Sequence, residues 1–185
     1  MAIVLIPIAT GFEEIEAVSL IDILRRAEIK VIVASVKENL QVQGANGIMI
    51  VADRVMDGIT SNDIDMILLP GGWGGTDILA KDDKVQNLLK DMNSKGKDIS
   101  AICAAPYALD KAGVLANNFT CYPSVEDKID SNGYNSTDKV VEDGNIITSQ
   151  GPGTAICLGL YIVKKYQGEE QYQALKEGLL ANFCK

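Results

Sequence analysis

Short, wholly apolar runs alternate along this chain with longer stretches whose apolar positions recur at helical spacing. Ala2-Ile3-Val4-Leu5-Ile6-Pro7-Ile8 is apolar throughout, the pattern of a strand covered on both faces. After the turn Ala9-Thr10-Gly11, the positions Phe12, Ile15, Val18, Ile21 and Leu24 form a stripe that predicts an amphipathic helix. Glu13, Glu14 and Glu16 fall in its first turns and Arg25 and Arg26 close it, the charge order that a helix dipole favours. Lys30–Ser35 is a β-branched strand. Lys37 to Ala52 predicts a hairpin-like excursion, with Gly44, Asn46 and Gly47 turning the chain between Val42 and Ile48-Met49-Ile50-Val51.

Asp65 to Pro70 is another buried strand, followed at once by the turn Gly71-Gly72-Trp73-Gly74-Gly75. Asp82 caps a helix through Val85, Leu88, Leu89 and Met92 that ends near Lys95-Gly96. Ile99 to Ile102 predicts the next strand, and Pro106 sits where a helix begins. Phe119 to Pro123 reads as a short strand or extended segment. Asp127 to Asp143 reads as a polar surface loop with a short edge strand at Lys139-Val140-Val141. Asn145 to Ser149 is the last strand. Gly151-Pro152-Gly153-Thr154 then opens a helix through Val163, and a final amphipathic helix covers about Glu169 to Leu180. Strands alternating with helices predict an α/β sandwich with a mostly parallel sheet, and 185 residues suit one domain over 1–185. Ligands of such sheets bind beyond the carboxyl ends of the strands.

Composition narrows the chemistry. A formal net charge of -8 without a basic cluster argues against a nucleic-acid partner. No apolar run reaches membrane-spanning length and no signal-peptide pattern is present, so no membrane association and a cytoplasmic location are expected. The four cysteines, Cys103, Cys121, Cys157 and Cys184, form no C-x-x-C pair. Reduced thiols are the default in that compartment, and neither a metal site nor a cofactor is expected. The chain has no histidine. That removes Ser-His and Cys-His mechanisms and leaves acid–base work to carboxylates, tyrosines, lysines and thiols.

Cys103 falls at the strand-to-helix corner of Asp98-Ile99-Ser100-Ala101-Ile102-Cys103-Ala104-Ala105-Pro106, the setting of a nucleophile elbow. Orphan N–H groups and the positive helix end there predict a thiol titrating below its free value of about 8.5. A small buried core cysteine is the alternative. The Gly71 to Gly75 run fails the G-x-G-x-x-G spacing, because Asp77 stands where the third glycine belongs. It reads as a tight turn at positive φ, as N–H donors near an oxyanion beside Cys103, or as both. Glu13 and Glu14 are expected to face solvent. Glu16 is either a solvated helix acid or is angled toward the sheet's carboxyl edge.

Four motifs occur in order: Gly-Phe-Glu-Glu-Ile-Glu at 11–16, Leu-Pro-Gly-Gly at 69–72, Ala-Ile-Cys-Ala-Ala-Pro at 101–106 and Thr-Ser-Gln-Gly-Pro-Gly-Thr at 148–154. Together they resemble the ThiJ/PfpI family, in the branch that holds the parkinsonism-associated protein deglycase. The resemblance implies a flavodoxin-like homodimer, a reactive Cys103, a glutamate partner at Glu16, and backbone donors at Gly72 and Ala104. It places Tyr122, Gly71 and Gly151 along the site's lining. It implies action on a small reactive carbonyl or glycated substrate, as in glutathione-independent glyoxalase or deglycase chemistry. The alternative is a non-enzymatic redox sensor or holdase chaperone working through oxidation of Cys103. Two departures stand out. Tyr122 occupies the place of a histidine found in many members, which weakens the glyoxalase reading. Ala104 follows the cysteine where the protease-like branch has a histidine, which argues against a protease. Because a carboxylate repels a neighbouring thiolate, Glu16 is expected to keep its proton and donate to the sulfur.

Overall fold

The computed structural model describes residues 1–184. Its elements are β1 Ile3–Ile8, α1 Glu14–Arg26, β2 Lys30–Ser35, β3 Gln41–Gln43, β4 Met49–Val51, β5 Arg54–Val55 and β6 Met66–Leu69. They continue with α2 Trp73–Lys81, α3 Asp83–Ser94, β7 Asp98–Ile102, α4 Pro106–Lys111, β8 Val140–Asp143, β9 Ile146–Ser149 and α5 Ala155–Gly178. Seven strands form one sheet in the order β5-β2-β1-β6-β7-β9-β8. Within it β8 alone runs antiparallel to its neighbour, and β3 and β4 form a separate hairpin. This is the mostly parallel α/β architecture anticipated from the alternation of runs, with the flavodoxin-like form that the resemblance implies. No helix is long and apolar enough to cross a membrane among the described residues.

The apolar runs follow from burial on both faces. In β1, Val4, Ile6 and Ile8 join the core beneath α1 and α5, while Leu5 joins the core on the α2–α4 side. In β6, Met66 and Leu68 point one way and Ile67 and Leu69 the other. With both sides covered, there is no place for the polar half of an alternating pattern.

Several expectations are corrected. The stripe Phe12-Ile15-Val18-Ile21-Leu24 does not face the core as a unit: Ile15 and Val18 are 59% and 48% exposed. Repeated steps of three residues drift about 60° per step around a helix of 3.6 residues per turn. The buried set is Glu14, Glu16, Ala17, Leu20, Ile23 and Leu24. Glu14 faces the hairpin rather than solvent, accepting from the Asn46 N–H at 2.6 Å, Asn46 Nδ2 at 3.0 Å and the Ile48 N–H at 3.3 Å. The glycine run does not remain a loop, because α2 starts inside it at Trp73. Phe119 to Pro123 forms no strand and keeps a lone bridge from Phe119 to Tyr134. The last two helices run on as α5, broken at Gly168, where φ is 86°. Finally, Cys157 and Cys184 are joined by a disulfide that ties the first turn of α5 to the C-terminal turn, so these two thiols are not reduced.

Candidate active site

The carboxyl ends of β1, β6 and β7 converge on Cys103. The Cys103 backbone is held from two sides: its N–H donates to the Ser149 carbonyl at 2.9 Å, and its carbonyl accepts from the Tyr122 N–H at 2.9 Å. Between these anchors its φ is 65°, a left-handed conformation that costs a side-chain-bearing residue of order 1–3 kcal/mol. The corner turns the thiol away from the sheet edge, as an elbow requires. The side chain is 9% exposed, whereas Cys121, the other free thiol, is fully buried.

Glu16 reaches this corner from the first turn of α1. Glu13 caps that helix by accepting from the Glu16 N–H at 2.7 Å, which fixes the helix phase and turns Glu16 inward. Glu16 is wholly buried. Its Oε2 accepts from the Gly71 N–H at 2.8 Å. Its Oε1 has no hydrogen-bond partner, and its Oε2 and the Cys103 Cβ flank the same point beside Gly71.

Gly71 makes the contact possible by lacking a side chain. A Cβ there would lie 2.6 Å from both Cys103 Cβ and Glu16 Oε2. Gly72 turns the chain at a φ of 84°, and its N–H and that of Ala104 face the sulfur. Sequence motifs thus singled out Cys103, Glu16, Gly71, Gly72 and Ala104, and the fold brings all five together. Tyr122 lines the same site, whereas Gly151 is buried against the Tyr122 ring, which lies 3.1 Å from where a Gly151 Cβ would be, and does not itself line it.

The electrostatics differ from the thiol expected at a helix end. Burial pushes the Glu16 carboxyl up to about 7, against the lowering effect of its bonds to Cys103 and the Gly71 N–H. Burial and then the charge of Glu16 push the Cys103 thiol up to about 12, with the Gly72 and Ala104 N–H groups pulling it down. The expectation of a value below 8.5 is therefore corrected. The helix that follows has only six residues and begins at Pro106, so little dipole reaches the sulfur. Because two anions cannot share this buried space, the pair holds one proton well above neutrality. A thiolate exists here when Glu16 carries that proton.

A depression of about 370 Å³ opens over the sulfur, lined by Trp73, Cys103, Ala104, Tyr122, Ser124, Val125 and Lys128. Ser124, Val125 and Lys128 carry no signal in the sequence, since they lie on and just before a one-turn 3₁₀ helix, Glu126–Lys128, whose position no local pattern reveals. A larger cavity of about 870 Å³ lies between α5, β8 and the C-terminal turn. It contains the disulfide and no free thiol. Among the described residues, no group of three or more Cys, Asp or Glu is arranged to hold a metal ion.

The profile of the DJ-1/PfpI family matches residues 2–165. The chain is 39% identical over 181 residues to Protein dj-1beta of Drosophila melanogaster, covering 97% of each. The crystal structure of Drosophila DJ-1beta superposes with a TM-score of 0.93 at 38% identity, over 97% of both chains. A Caenorhabditis elegans protein named glutathione-independent glyoxalase DJR-1.2 is 36% identical over 179 residues, covering 96% of this chain and 95% of that protein. The Arabidopsis thaliana proteins DJ-1 homolog B and DJ-1 homolog A are each 38% identical over 179 residues, and the chain spans only 41% and 45% of their lengths.

Proposed function

The chain belongs to the DJ-1/PfpI family, and on that footing we propose that it is a cysteine-dependent stress-response protein converting 2-oxoaldehydes to 2-hydroxy acids. Glutathione-independent glyoxalase and protein deglycase chemistry are the two forms of this reading. The observation that carries it is the buried Glu16 carboxyl set between the Gly71 N–H and the Cys103 thiol.

In the proposed reaction the Cys103 sulfur adds to the aldehyde carbon and the carbonyl oxygen takes up a proton, giving a hemithioacetal. Glu16 then removes the proton from that carbon and returns it to the adjacent ketone carbon, while the hemithioacetal hydroxyl proton passes to the ketone oxygen, leaving a 2-hydroxy thioester. Water hydrolyses the thioester, releases the 2-hydroxy acid and restores the thiol. The Gly72 and Ala104 N–H groups are the donors for the charge that develops beside the sulfur. The test is lactate formation from methylglyoxal. Cys103→Ser should abolish it, and Glu16→Gln should lower it about a hundred- to ten-thousand-fold. Full turnover by either variant overturns the reading.

A second reading, a redox sensor or holdase chaperone, is favoured by the absence of histidine and by the same donors. Two successive peroxide molecules would each transfer one oxygen atom to the sulfur and leave as water, giving the sulfinate. A protonated Glu16 and the two N–H groups would hold the product oxygens. Under this reading Glu16→Gln still reaches the sulfinate, and oxidation, not turnover, changes stability or partners.

We also propose a homodimer. Its support is the apolar surface of Ile15, Val18, Ile48, Met49 and Val51, all between 48% and 66% exposed, on α1 and the hairpin that Glu14 fastens to it.

A further inference from the structure

We propose that Lys128 makes the Cys103 depression selective for negatively charged electrophiles, so that the carbonyl substrate is a 2-oxoaldehyde bearing a carboxylate. The substrate assignment rests on the reading of Cys103 as a carbonyl-adding thiol; the charge selection does not. Of the seven residues that line the depression, Lys128 alone carries a fixed charge. Its ammonium lies 5.4 Å from the centre of the Trp73 ring, which holds it over the wall of the site. Among the described residues no carboxylate pairs with it, whereas Lys111 and Lys81 nearby are paired with Asp110 and Asp77. Glu126, two residues away, has its carboxylate 3.8 Å from the Cys121 sulfur.

Trp73 and Tyr122 are 44% and 50% exposed and flank the opening with aromatic rings, flat faces against which an aromatic substrate can lie. The chain as a whole carries a net charge of -8, so anions approach against its general field. An unpaired ammonium at the rim offsets that repulsion at this one place. Methylglyoxal has no charge to engage the ammonium. An aryl 2-oxoaldehyde with a carboxylate has a flat face for Trp73 or Tyr122 and an anion for Lys128.

Two measurements on the full chain test this. In the first, Cys103 is alkylated with iodoacetate and with iodoacetamide, and the labelled peptide is followed by mass. Lys128→Gln should lower the iodoacetate-to-iodoacetamide rate ratio about tenfold, and high salt should lower the parent's ratio toward that of the variant. An unchanged ratio in Lys128→Gln overturns the charge selection. In the second, kcat/KM is compared for phenylglyoxal and 4-carboxyphenylglyoxal. The parent should favour the carboxylated compound, Lys128→Gln should lose the preference, and Lys128→Glu should reverse it. A preference that survives in Lys128→Gln overturns the substrate assignment. If neither compound turns over while the alkylation ratio responds to Lys128, the charge selection stands and the carbonyl reading of Cys103 fails.

Discussion

Glu16 and Gly71 meet at 2.8 Å, carboxylate oxygen to backbone N–H, across 55 residues of sequence. That bond places a fully buried acid against the Cys103 thiol and joins the start of α1 to the end of β6.

The first prediction concerns pH. Folding raises the Glu16 carboxyl from an ordinary 4.5 to about 7, chiefly through burial, so the native state binds this proton more tightly than the unfolded chain. Stability from this group is therefore full below about pH 4.5 and falls as pH rises toward 7. The loss is of order 3 kcal/mol, at about 1.4 kcal/mol per pKa unit. Glu16→Gln removes the penalty. Urea unfolding of both proteins from pH 4.5 to 7.5 should show the variant gaining on the parent as pH rises, and parallel curves would contradict the assigned shift.

The second concerns space. Gly71→Ala puts a methyl group 2.6 Å from Cys103 Cβ and from Glu16 Oε2, and 2.9 Å from the Ile102 carbonyl. Two of these neighbours are backbone or Cβ atoms that cannot swing away. A destabilisation of about 1–3 kcal/mol is expected, with a changed alkylation rate at Cys103. A variant with the parent's stability and reactivity would show that the packing is looser than described.

The third concerns the disulfide. Cys157 and Cys184 close a loop with a sequence separation of 27, so Cys184→Ser should cost about 2–4 kcal/mol. Denaturant melts of parent and variant under non-reducing conditions measure it. Mass analysis after alkylation without reductant should label Cys103 first and leave Cys157 and Cys184 unlabelled.

The fourth concerns association. Sedimentation at micromolar concentration should give twice the 19.9 kDa chain, about 40 kDa. Ile15→Lys or Val51→Lys places like charges face to face in a two-fold interface and should return a monomer. A monomeric parent would remove the proposed dimer.

Hydropathy alone placed the central strands β1 and β6, because a strand covered on both faces must be apolar throughout, and Ile3–Ile8 and Met66–Leu69 lie where such runs lie. The sequence also located the elbow, where a strand-forming run gives way at Cys103 to small residues and Pro106. Contacts between distant parts of the chain set the remaining features. Helix α2 begins at Trp73 although Gly74 and Gly75 are poor helix formers, because Gly75 is buried against the Phe12 backbone and packing outweighs propensity. Which face of α1 turns inward depended on the Glu13 cap and on the hairpin that Glu14 holds. Spacing could not reveal the Cys157–Cys184 bond, because pairing depends on where the chain's end returns. The thiol's upward shift arose likewise from burial beside a carboxylate 87 positions earlier in the chain, a long-range effect with no local signature.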